Sequence, residues 1–279
     1  MKLSHAKHVL FAAITSVLLI GCSSVPSPLE RYQTAQTLVS SRGWIITRLD
    51  AAGFDLLTSM PKSIMPDRRL TIYIEGDGLA WLSSSTPSPD PTPRNPLALR
   101  LALAQTDGNA AYIARPCQYI DARQNACPQR YWTQARFAPE TIQAMDRAIN
   151  KLKSRFGAEN LVLVGYSGGG AVAALVAARR DDVVKLITVA GNLDHAAWTR
   201  YHHLAPLMAS LNAADVAQGL AKLPQTHFIG GKDRVIPASL SMNWPVQVSG
   251  DQGSNITVVP NFDHACCWVR EWPRLLKEH

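Results

Sequence analysis

A serine between glycines is the residue of this sequence whose surroundings point most directly to chemistry. Residues 161–174 read LVLVGYSGGGAVAA. The apolar run predicts a buried strand, and the small residues after Ser167 predict a helix that starts at once. A serine on the strained turn between them needs small neighbours, which Gly165 and Gly169 supply, and it exposes its hydroxyl as a nucleophile. The Gly168 amide at the start of the helix would face a developing oxyanion.

An aspartate and a histidine follow two later apolar runs. After the run at 226–229 the chain reads GGKDRVIP, which places Asp233 in a glycine-rich turn closed by a proline. After the run at 256–259 it reads PNFDH, which ends at His264. An isolated Asp or His is more often a surface residue, but Ser167, Asp233 and His264 each come just beyond the carboxyl end of a predicted strand. In a parallel sheet such positions meet at one edge.

The segments that must hold these residues alternate between short apolar runs and helix-like stretches. This alternation predicts an α/β fold with a mostly parallel sheet and helices on both faces. Trp44–Leu49 and Phe54–Thr58, on either side of Gly53, predict a hairpin at an antiparallel edge of the sheet. The predicted strands are Leu70–Ile74, Ala110–Ala114, Leu161–Val164, Lys185–Ala190, Thr226–Ile229 and Ile256–Val259. The predicted helices are Ala98–Gln105, Pro139–Phe156, Gly169–Arg180, Ala213–Lys222 and Cys266–Lys277.

The strand-serine-helix turn, the Asp233 loop and the position of His264 together resemble the α/β-hydrolase family, which carries its nucleophile, acid and histidine in this order. The resemblance covers about residues 44–276 and implies the α/β-hydrolase fold. It also implies that His264 takes the proton of Ser167, while Asp233 fixes the histidine tautomer and stabilises the imidazolium. The implied activity is cleavage of a carboxylic ester or related acyl bond through an acyl-enzyme, without a cofactor. The substrate, a small molecule or a lipid, is not specified by a superfamily resemblance.

By the same resemblance, a second oxyanion donor should come from the loop after Leu70–Ile74. This loop reads EGDG, from Glu75 to Gly78, where the family has a His-Gly motif. Either the Asp77 or the Gly78 amide could point inward, and the departure from the motif leaves the choice open. The Asp77 carboxylate could cap the turn through its own backbone.

Asp194 is a second candidate for the acid, because some relatives draw it from the corresponding earlier loop. Asp194 opens the insertion Asn192–Trp198, where this fold usually places a cap over the pocket. The rigid Gly-Gly-Lys-Asp turn favours Asp233. The proline-rich segment Trp81–Pro96 is expected to lie across the pocket mouth as an ordered rim.

The N-terminus has the features of a secretory signal. Lys2 and Lys7 precede an apolar run of twelve residues, Val9–Ile20, which is too short to span a bilayer comfortably. The sequence LIGC, ending at Cys22, resembles a bacterial lipobox. That resemblance implies cleavage before Cys22 and acylation of its thiol and amine, and two or more acyl chains anchor stably. Ser23 after the cysteine favours export to the outer membrane in proteobacterial lipoproteins. An ordinary signal with a chance cysteine is the alternative.

These observations divide the chain into three parts. Residues 1–21 are expected to be a lipoprotein signal peptide, 22–40 a tether and N-terminal segment, and 41–279 a single α/β-hydrolase domain. The net charge is +7, and the basic residues beyond the signal are scattered, so no nucleic-acid partner is indicated. The sequence does not predict an oligomeric state.

Four cysteines remain after Cys22. Cys117 and Cys127 bracket a polar loop, and we expect a disulfide between them in an exported chain. Cys266 and Cys267 follow His264 closely and could form a vicinal disulfide or remain free thiols. Neither pair has zinc-like spacing with a nearby partner pair, so no metal site is expected.

Two other functions remain open at this point. The same site could transfer its acyl group to an acceptor other than water. A non-catalytic lipoprotein could keep the fold to bind a partner or an envelope lipid, although a complete set of serine, aspartate and histidine argues against this.

Overall fold

A computed structural model describes residues 25–120, 127–242, 244 and 254–278. Cys22 and the predicted signal peptide lie outside the described residues. The strands are β1 (Trp44–Ala51), β2 (Phe54–Pro61), β3 (Arg69–Ile74), β4 (Asn109–Ile113), β5 (Asn160–Tyr166), β6 (Val183–Val189), β7 (Gln225–Gly230) and β8 (Ser254–Val259). The α-helices are α1 (Pro28–Ser41), α2 (Leu97–Ala104), α3 (Pro139–Phe156), α4 (Gly168–Ala177), α5 (His195–Tyr201), α6 (Ala238–Ser241) and α7 (Trp268–Glu278).

The strands form one eight-stranded sheet in the order β1-β2-β4-β3-β5-β6-β7-β8. The hairpin of β1 and β2 is antiparallel, and β2 also runs antiparallel to β4. Every other neighbouring pair is parallel. The predicted mostly parallel sheet with an antiparallel N-terminal hairpin is therefore confirmed. The carboxyl ends of β3, β5, β7 and β8 meet at one edge, which is where the candidate residues follow them.

Helices cover both faces of the sheet because successive strand residues point to opposite sides. On β3, Ile72 joins the core beneath α3 and α4, whereas Tyr73 joins the core beneath α2 and α7. On β5, Leu163 and Val164 divide in the same way. The helix α4 is buried along its whole length. Its Gly, Ala and Val side chains are small enough to let it pack directly on the sheet.

The helix α1 was not predicted from the sequence. It starts with a capping box, in which the Ser27 side chain accepts from the Glu30 amide and the Glu30 side chain accepts from the Ser27 amide. Ser27 and Glu30 are three residues apart, as the capping-box pattern requires, so this signal was readable. Helical structure is therefore present well before residue 41.

The predicted helix at Ala213–Lys222 is instead a 3₁₀ helix, Ala213–Leu220. Asn212 precedes it but makes no cap, because its side chain accepts from the His195 amide and donates to Asp194. The C-terminal helix α7 begins at Trp268, two residues later than predicted.

Candidate active site

The backbone at Ser167 is strained, as the sequence predicts for a turn between strand and helix. Ser167 has φ of 52° and ψ of −122°, outside the regions that suit a residue with a Cβ atom. Its amide donates to the Val189 carbonyl, which ties the turn to the neighbouring strand. A Cβ at Gly165 would lie 2.2 Å from the Gly169 carbonyl oxygen, and one at Gly169 would lie 2.3 Å from the Ile74 carbonyl oxygen. The flanking glycines are therefore required by close backbone approach.

Hydrogen bonds connect the three predicted catalytic side chains. The Ser167 Oγ lies 3.0 Å from His264 Nε2, and His264 Nδ1 lies 2.8 Å from Asp233 Oδ2. The other oxygen of Asp233 accepts from the amides of Val235 and Ile236 at 2.7 and 2.8 Å. With the carboxylate accepting from Nδ1–H, the free lone pair of the imidazole is on Nε2 and faces the serine hydroxyl. This arrangement suits proton removal from Ser167.

The carbonyl of His264 also has a partner that fixes the loop. Tyr166, the residue before the serine, donates its hydroxyl to the His264 carbonyl oxygen at 3.2 Å. The ring centroids of these two residues are 5.3 Å apart. The histidine is thus positioned both by Asp233 and by the residue next to its serine partner.

Asp194 lies at the start of α5 and not beside His264. One of its oxygens accepts from the Ala197 amide at 3.0 Å and from the Asn212 side chain at 2.9 Å. Asp194 therefore acts as the N-cap of α5. Between the two acids, the hydrogen bond to His264 is made by Asp233.

The loop after β3 approaches the serine, as expected for an oxyanion loop. A Cβ at Gly76 would lie 3.2 Å from the Ser167 Cβ. The Gly76 amide donates to the Glu75 side chain and the Leu79 amide to the Pro91 carbonyl. The amides of Asp77 and Gly78 donate to no backbone carbonyl of the described residues. Both remain candidates for the second donor, beside the Gly168 amide at the first turn of α4.

The carboxylate of Asp77 is held by two arginines, Arg115 and Arg136, neither of which was predicted from the sequence. Asp77 Oδ2 lies 2.6 Å from Arg136 Nη1, and Asp77 Oδ1 lies 3.2 Å from Arg115 Nη1. Burial acts to raise the pKa of Asp77, but the two guanidinium groups outweigh it and lower that pKa below its ordinary value. A Cβ at Gly168 would lie 2.1 Å from Asp77 Oδ1, so this charge is next to the proposed oxyanion donor. Asp77 therefore does not merely cap its own turn.

The arginines are themselves fixed by the fold. Arg115 stacks over the Phe137 ring with its guanidinium carbon 5.2 Å from the centroid, and it also donates to the Arg136 carbonyl. Arg136 Nε donates to the Thr133 carbonyl at 2.8 Å. Arg115 follows β4 directly, at the same sheet edge as the serine, and this position was the one available sequence signal. Arg136 lies in an irregular segment without such a signal.

Glu75 is a fully buried carboxyl group beside the site. Its Oε1 accepts from the Gly76 amide at 3.0 Å and from the Ala98 amide at 3.3 Å, at the first turn of α2. Tyr112 donates its hydroxyl to the other oxygen at 3.1 Å. Burial raises the pKa of Glu75 to about 7, although these hydrogen bonds act in the opposite direction. Glu75 thus connects the oxyanion loop to α2 and titrates near neutrality.

A cavity of about 390 Å³ opens above Ser167 and His264. Its walls include Trp81, Pro93 and Arg94 from the proline-rich segment, which forms the rim that the sequence predicts. Trp198 from the predicted cap insertion and Val235 from the Asp233 loop also line the cavity. Aromatic and aliphatic surface close to the serine suits an acyl or alcohol group.

The predicted pair of Cys117 and Cys127 is close enough to bond, and so is the pair of Cys266 and Cys267, whose state the sequence left open. The Cα atoms of Cys117 and Cys127 are 5.7 Å apart, and the adjacent Cys266 and Cys267 also have their sulfurs together. Within the described ranges, no group of three His, Cys, Asp or Glu side chains could hold a metal ion. No helix in the same part of the chain is both long and apolar enough to cross a bilayer.

The chain is similar to a family model and to solved structures. The family model for the alpha/beta hydrolase fold matches residues 85–252, which is more than half of the chain. Est1E from Butyrivibrio proteoclasticus is similar, with a TM-score of 0.59 and 14% identity over 84% of this chain and 96% of that chain. The esterase Pf2001 from Pyrococcus furiosus is also similar, with a TM-score of 0.60 and 12% identity over 87% and 91% of the two chains. A comparison with curated protein sequences finds no match.

Proposed function

The chain belongs to the alpha/beta-hydrolase family, and from that premise we propose that it is a serine esterase held on the bacterial envelope by a lipid on Cys22. The observation that carries the catalytic part is the hydrogen-bonded series from Ser167 Oγ through the His264 ring to Asp233, with distances of 3.0 and 2.8 Å. A nucleophile, a base and an orienting acid in this geometry support acyl transfer through a covalent intermediate.

In the proposed reaction, Ser167 Oγ attacks the ester carbonyl while His264 Nε2 takes the hydroxyl proton. The carbonyl oxygen becomes an oxyanion, which the Gly168 amide and an amide of the Asp77–Gly78 loop stabilise. Asp233 stabilises the imidazolium without taking the proton. His264 then gives this proton to the leaving alcohol, and the acyl-enzyme remains.

Hydrolysis repeats these steps with water as the nucleophile. His264 removes a proton from water, and the hydroxide attacks the acyl carbon. His264 then returns the proton to Ser167 Oγ, and the product leaves as a carboxylic acid. The name of the Pyrococcus furiosus esterase Pf2001 supports an ester as the bond that is cleaved. The apolar wall of the cavity formed by Trp81, Trp198 and Val235 supports a substrate with an apolar acyl or alcohol part.

The anchoring part of the proposal rests on the lipobox-like sequence ending at Cys22 and on the position of the described domain after it. The helix α1 begins at Pro28, six residues after Cys22, and Val25–Ser27 before it are exposed. A short segment of chain therefore separates Cys22 from α1, as in a domain tethered to a membrane surface. We propose the outer membrane as its location.

A labelling and turnover experiment tests the esterase proposal. Full-length protein in detergent is treated with a fluorophosphonate probe and is assayed on acyl esters of graded chain length. The wild type should be labelled on Ser167 and should turn over at least one ester, and Ser167→Ala should lose label and turnover. Ser40→Ala, at an exposed serine of α1, is the matched control and should retain both.

Ester turnover by Ser167→Ala at the wild-type rate would refute the proposed nucleophile. Addition of an alcohol to the same assay separates the two fates of the acyl group. Free acid as the main product supports hydrolysis, and a new ester as the main product would make the protein an acyltransferase.

A further inference from the structure

Four exposed apolar side chains line the Ser167 cavity or lie near its lining residues. Trp81 is 40% exposed, Leu82 51%, Val235 43% and Tyr201 53%. A single exposed apolar side chain is normal on a protein surface, but several grouped around one opening are typical of a surface that contacts another apolar phase.

Two of these residues line the cavity, and the other two are connected to its wall. Trp81 and Val235 line it from two different loops, and Leu82 follows Trp81 in the chain. His202 Nε2 lies 2.9 Å from the Val235 carbonyl oxygen, and the Tyr201 ring centroid is 4.9 Å from that of His202. We call Trp81, Leu82, Tyr201 and Val235 the apolar rim.

Basic residues accompany the apolar rim. Arg94 lines the cavity and is exposed, and Lys232 and Arg234 are exposed on either side of the buried Asp233. A second cavity lies beside this one, between the Asp233 and His264 loops. Against the three cations, the residues that line the two cavities include a single exposed acid, Asp263. None of the three cations forms an ion pair with an acidic side chain in the described part of the chain. The mouth is therefore apolar and positive, which is complementary to an anionic lipid surface.

The N-terminal helix fixes the anchored end of the chain beside this mouth. Arg31, in the first turn of α1, forms a buried ion pair with Asp90 at 3.2 Å and donates to the carbonyl of Thr92. The next residues, Pro93 and Arg94, line the cavity. Cys22 lies six residues before Pro28, a span of at most about 20 Å of extended chain. A lipid on Cys22 therefore holds the bilayer within that distance of the start of α1.

We infer that the apolar rim rests on the anionic bilayer surface to which Cys22 anchors the chain, and that the cavity takes acyl esters that reside in this bilayer. The inference rests on the proposed esterase function and on the proposed acylation of Cys22. It adds the orientation of the domain and the physical source of the substrate. The apolar rim enters the lipid, the basic residues meet its headgroups, and an ester from the membrane reaches Ser167 without crossing water.

Activity on two substrates tests this orientation. Lipidated full-length protein is reconstituted in vesicles of phosphatidylcholine and phosphatidylglycerol at about 7:3, and kcat/KM is measured for a long-chain ester in the bilayer and a short ester in water. Leu82→Glu and Tyr201→Glu change exposed rim residues that do not line the cavity. Met65→Glu is the control. Met65 is exposed and bonds through its amide to Asn109, the first residue of β4, so it lies at the end of the strand far from Ser167.

Both rim variants should lower kcat/KM for the bilayer ester at least tenfold and leave that for the soluble ester unchanged, and Met65→Glu should change neither. Equal effects on both esters, or no effect on the bilayer ester, would overturn the inference. Absence of hydrolysis of both esters in the wild type would instead refute the proposed esterase.

A spectroscopic measurement reads the orientation without turnover. Vesicles with bromine-labelled acyl chains quench tryptophans that touch the bilayer interior. The wild type should show quenched emission, and most of this quenching should disappear in Trp81→Phe. Quenching that is equally strong in Trp81→Phe, or absent in the wild type, would show that the apolar rim does not touch the lipid.

Discussion

Asp77 Oδ2 lies 2.6 Å from Arg136 Nη1, and the other carboxylate oxygen contacts the Cα side of Gly168, next to the amide that is expected to bind the oxyanion. A negative charge at this position opposes the charge that forms in the transition state. At a separation of about 5 Å and an effective dielectric constant of about 20, that repulsion is on the order of 3 kcal/mol. Arg115 and Arg136 offset this repulsion. The two arginines therefore serve the electrostatics of the site as well as the geometry of the loop.

Replacement of Arg136 should therefore slow the chemical step. Arg136→Met leaves Asp77 with Arg115 alone, and we expect kcat to fall about tenfold to a hundredfold, because each tenfold costs about 1.4 kcal/mol of barrier. Arg136→Lys keeps a charge and should lose less. Steady-state kinetics on a soluble ester measures the effect, and circular dichroism checks the fold.

A double variant separates charge from packing. Asp77→Asn removes the unwanted charge, so adding it to Arg136→Met should recover part of kcat if electrostatics is the cause. If the double variant is slower than Arg136→Met by the full effect of Asp77→Asn alone, the two residues act independently and the charge argument is wrong.

The acid that serves His264 can be identified by a matched pair of substitutions. Asp233→Asn would favour the wrong histidine tautomer, and we expect a loss of up to about 10⁴ in kcat. Asp194→Asn alters an N-cap of α5 and the cap insertion, so it should change mainly the Michaelis constant. Kinetic penalties in the reverse order would make Asp194 the acid.

Lipidation of Cys22 is open to a direct test. Cys22→Ala removes the thiol that would accept the diacylglycerol, so unprocessed precursor should accumulate in the producing bacterium. Mass spectrometry of the wild-type membrane fraction should find an acylated N-terminal Cys22. An unmodified mature N-terminus at another residue would show that the leader is an ordinary signal peptide.

The pairing of Cys117 with Cys127 should stabilise the exported protein. Closing a loop with a sequence separation of 10 should contribute roughly 2–3 kcal/mol to the free energy of unfolding. Urea unfolding of a Cys117→Ser, Cys127→Ser variant measures this, and the Cys266→Ser, Cys267→Ser variant serves as the comparison. Peptide mapping without reductant that finds both Cys117 and Cys127 as free thiols would contradict the pairing.

Local patterns were enough to predict the sheet and the three side chains that the structure brings together. The apolar run before Ser167 and the glycines around it carry their own conformational requirements, and Asp233 and His264 follow strands whose carboxyl ends must meet. The preference for Asp233 over Asp194 came from the rigidity of a short turn, which is also local.

The parts that sequence reasoning missed depend on contacts between distant segments. Arg136 is 59 residues from Asp77, and no spacing rule relates them. The contact between α1 and the proline-rich segment Trp81–Pro96 depends on Arg31 and Asp90, which are equally remote in sequence. The side chain of Asn212, before the 3₁₀ helix Ala213–Leu220, bonds to His195 and Asp194 instead of capping that helix, and a propensity argument does not detect such a contact.

Glu75 should make the stability of the protein depend on pH. Its pKa is raised by burial from 4.5 to about 7, so between these values the folded state keeps a proton that the unfolded state releases. The resulting stability is fully present below pH 4.5, is lost as the pH rises to about 7, and stays lost above that. A shift of this size corresponds to about 3 kcal/mol in the free energy of unfolding.

Glu75→Gln is the variant that tests this dependence. The amide is neutral at every pH, and its oxygen can still accept from the Gly76 and Ala98 amides that bind Glu75 Oε1 in the wild type. Denaturant unfolding gives the free energy of unfolding at a series of pH values from 4.5 to 8. In the wild type this free energy should decline as the pH rises, and in Glu75→Gln the decline should be smaller by about 3 kcal/mol. Glu159→Gln, at an exposed glutamate, is the control and should keep the wild-type decline. Parallel pH profiles for the wild type and Glu75→Gln would mean that Glu75 is ionised in the folded protein throughout this range.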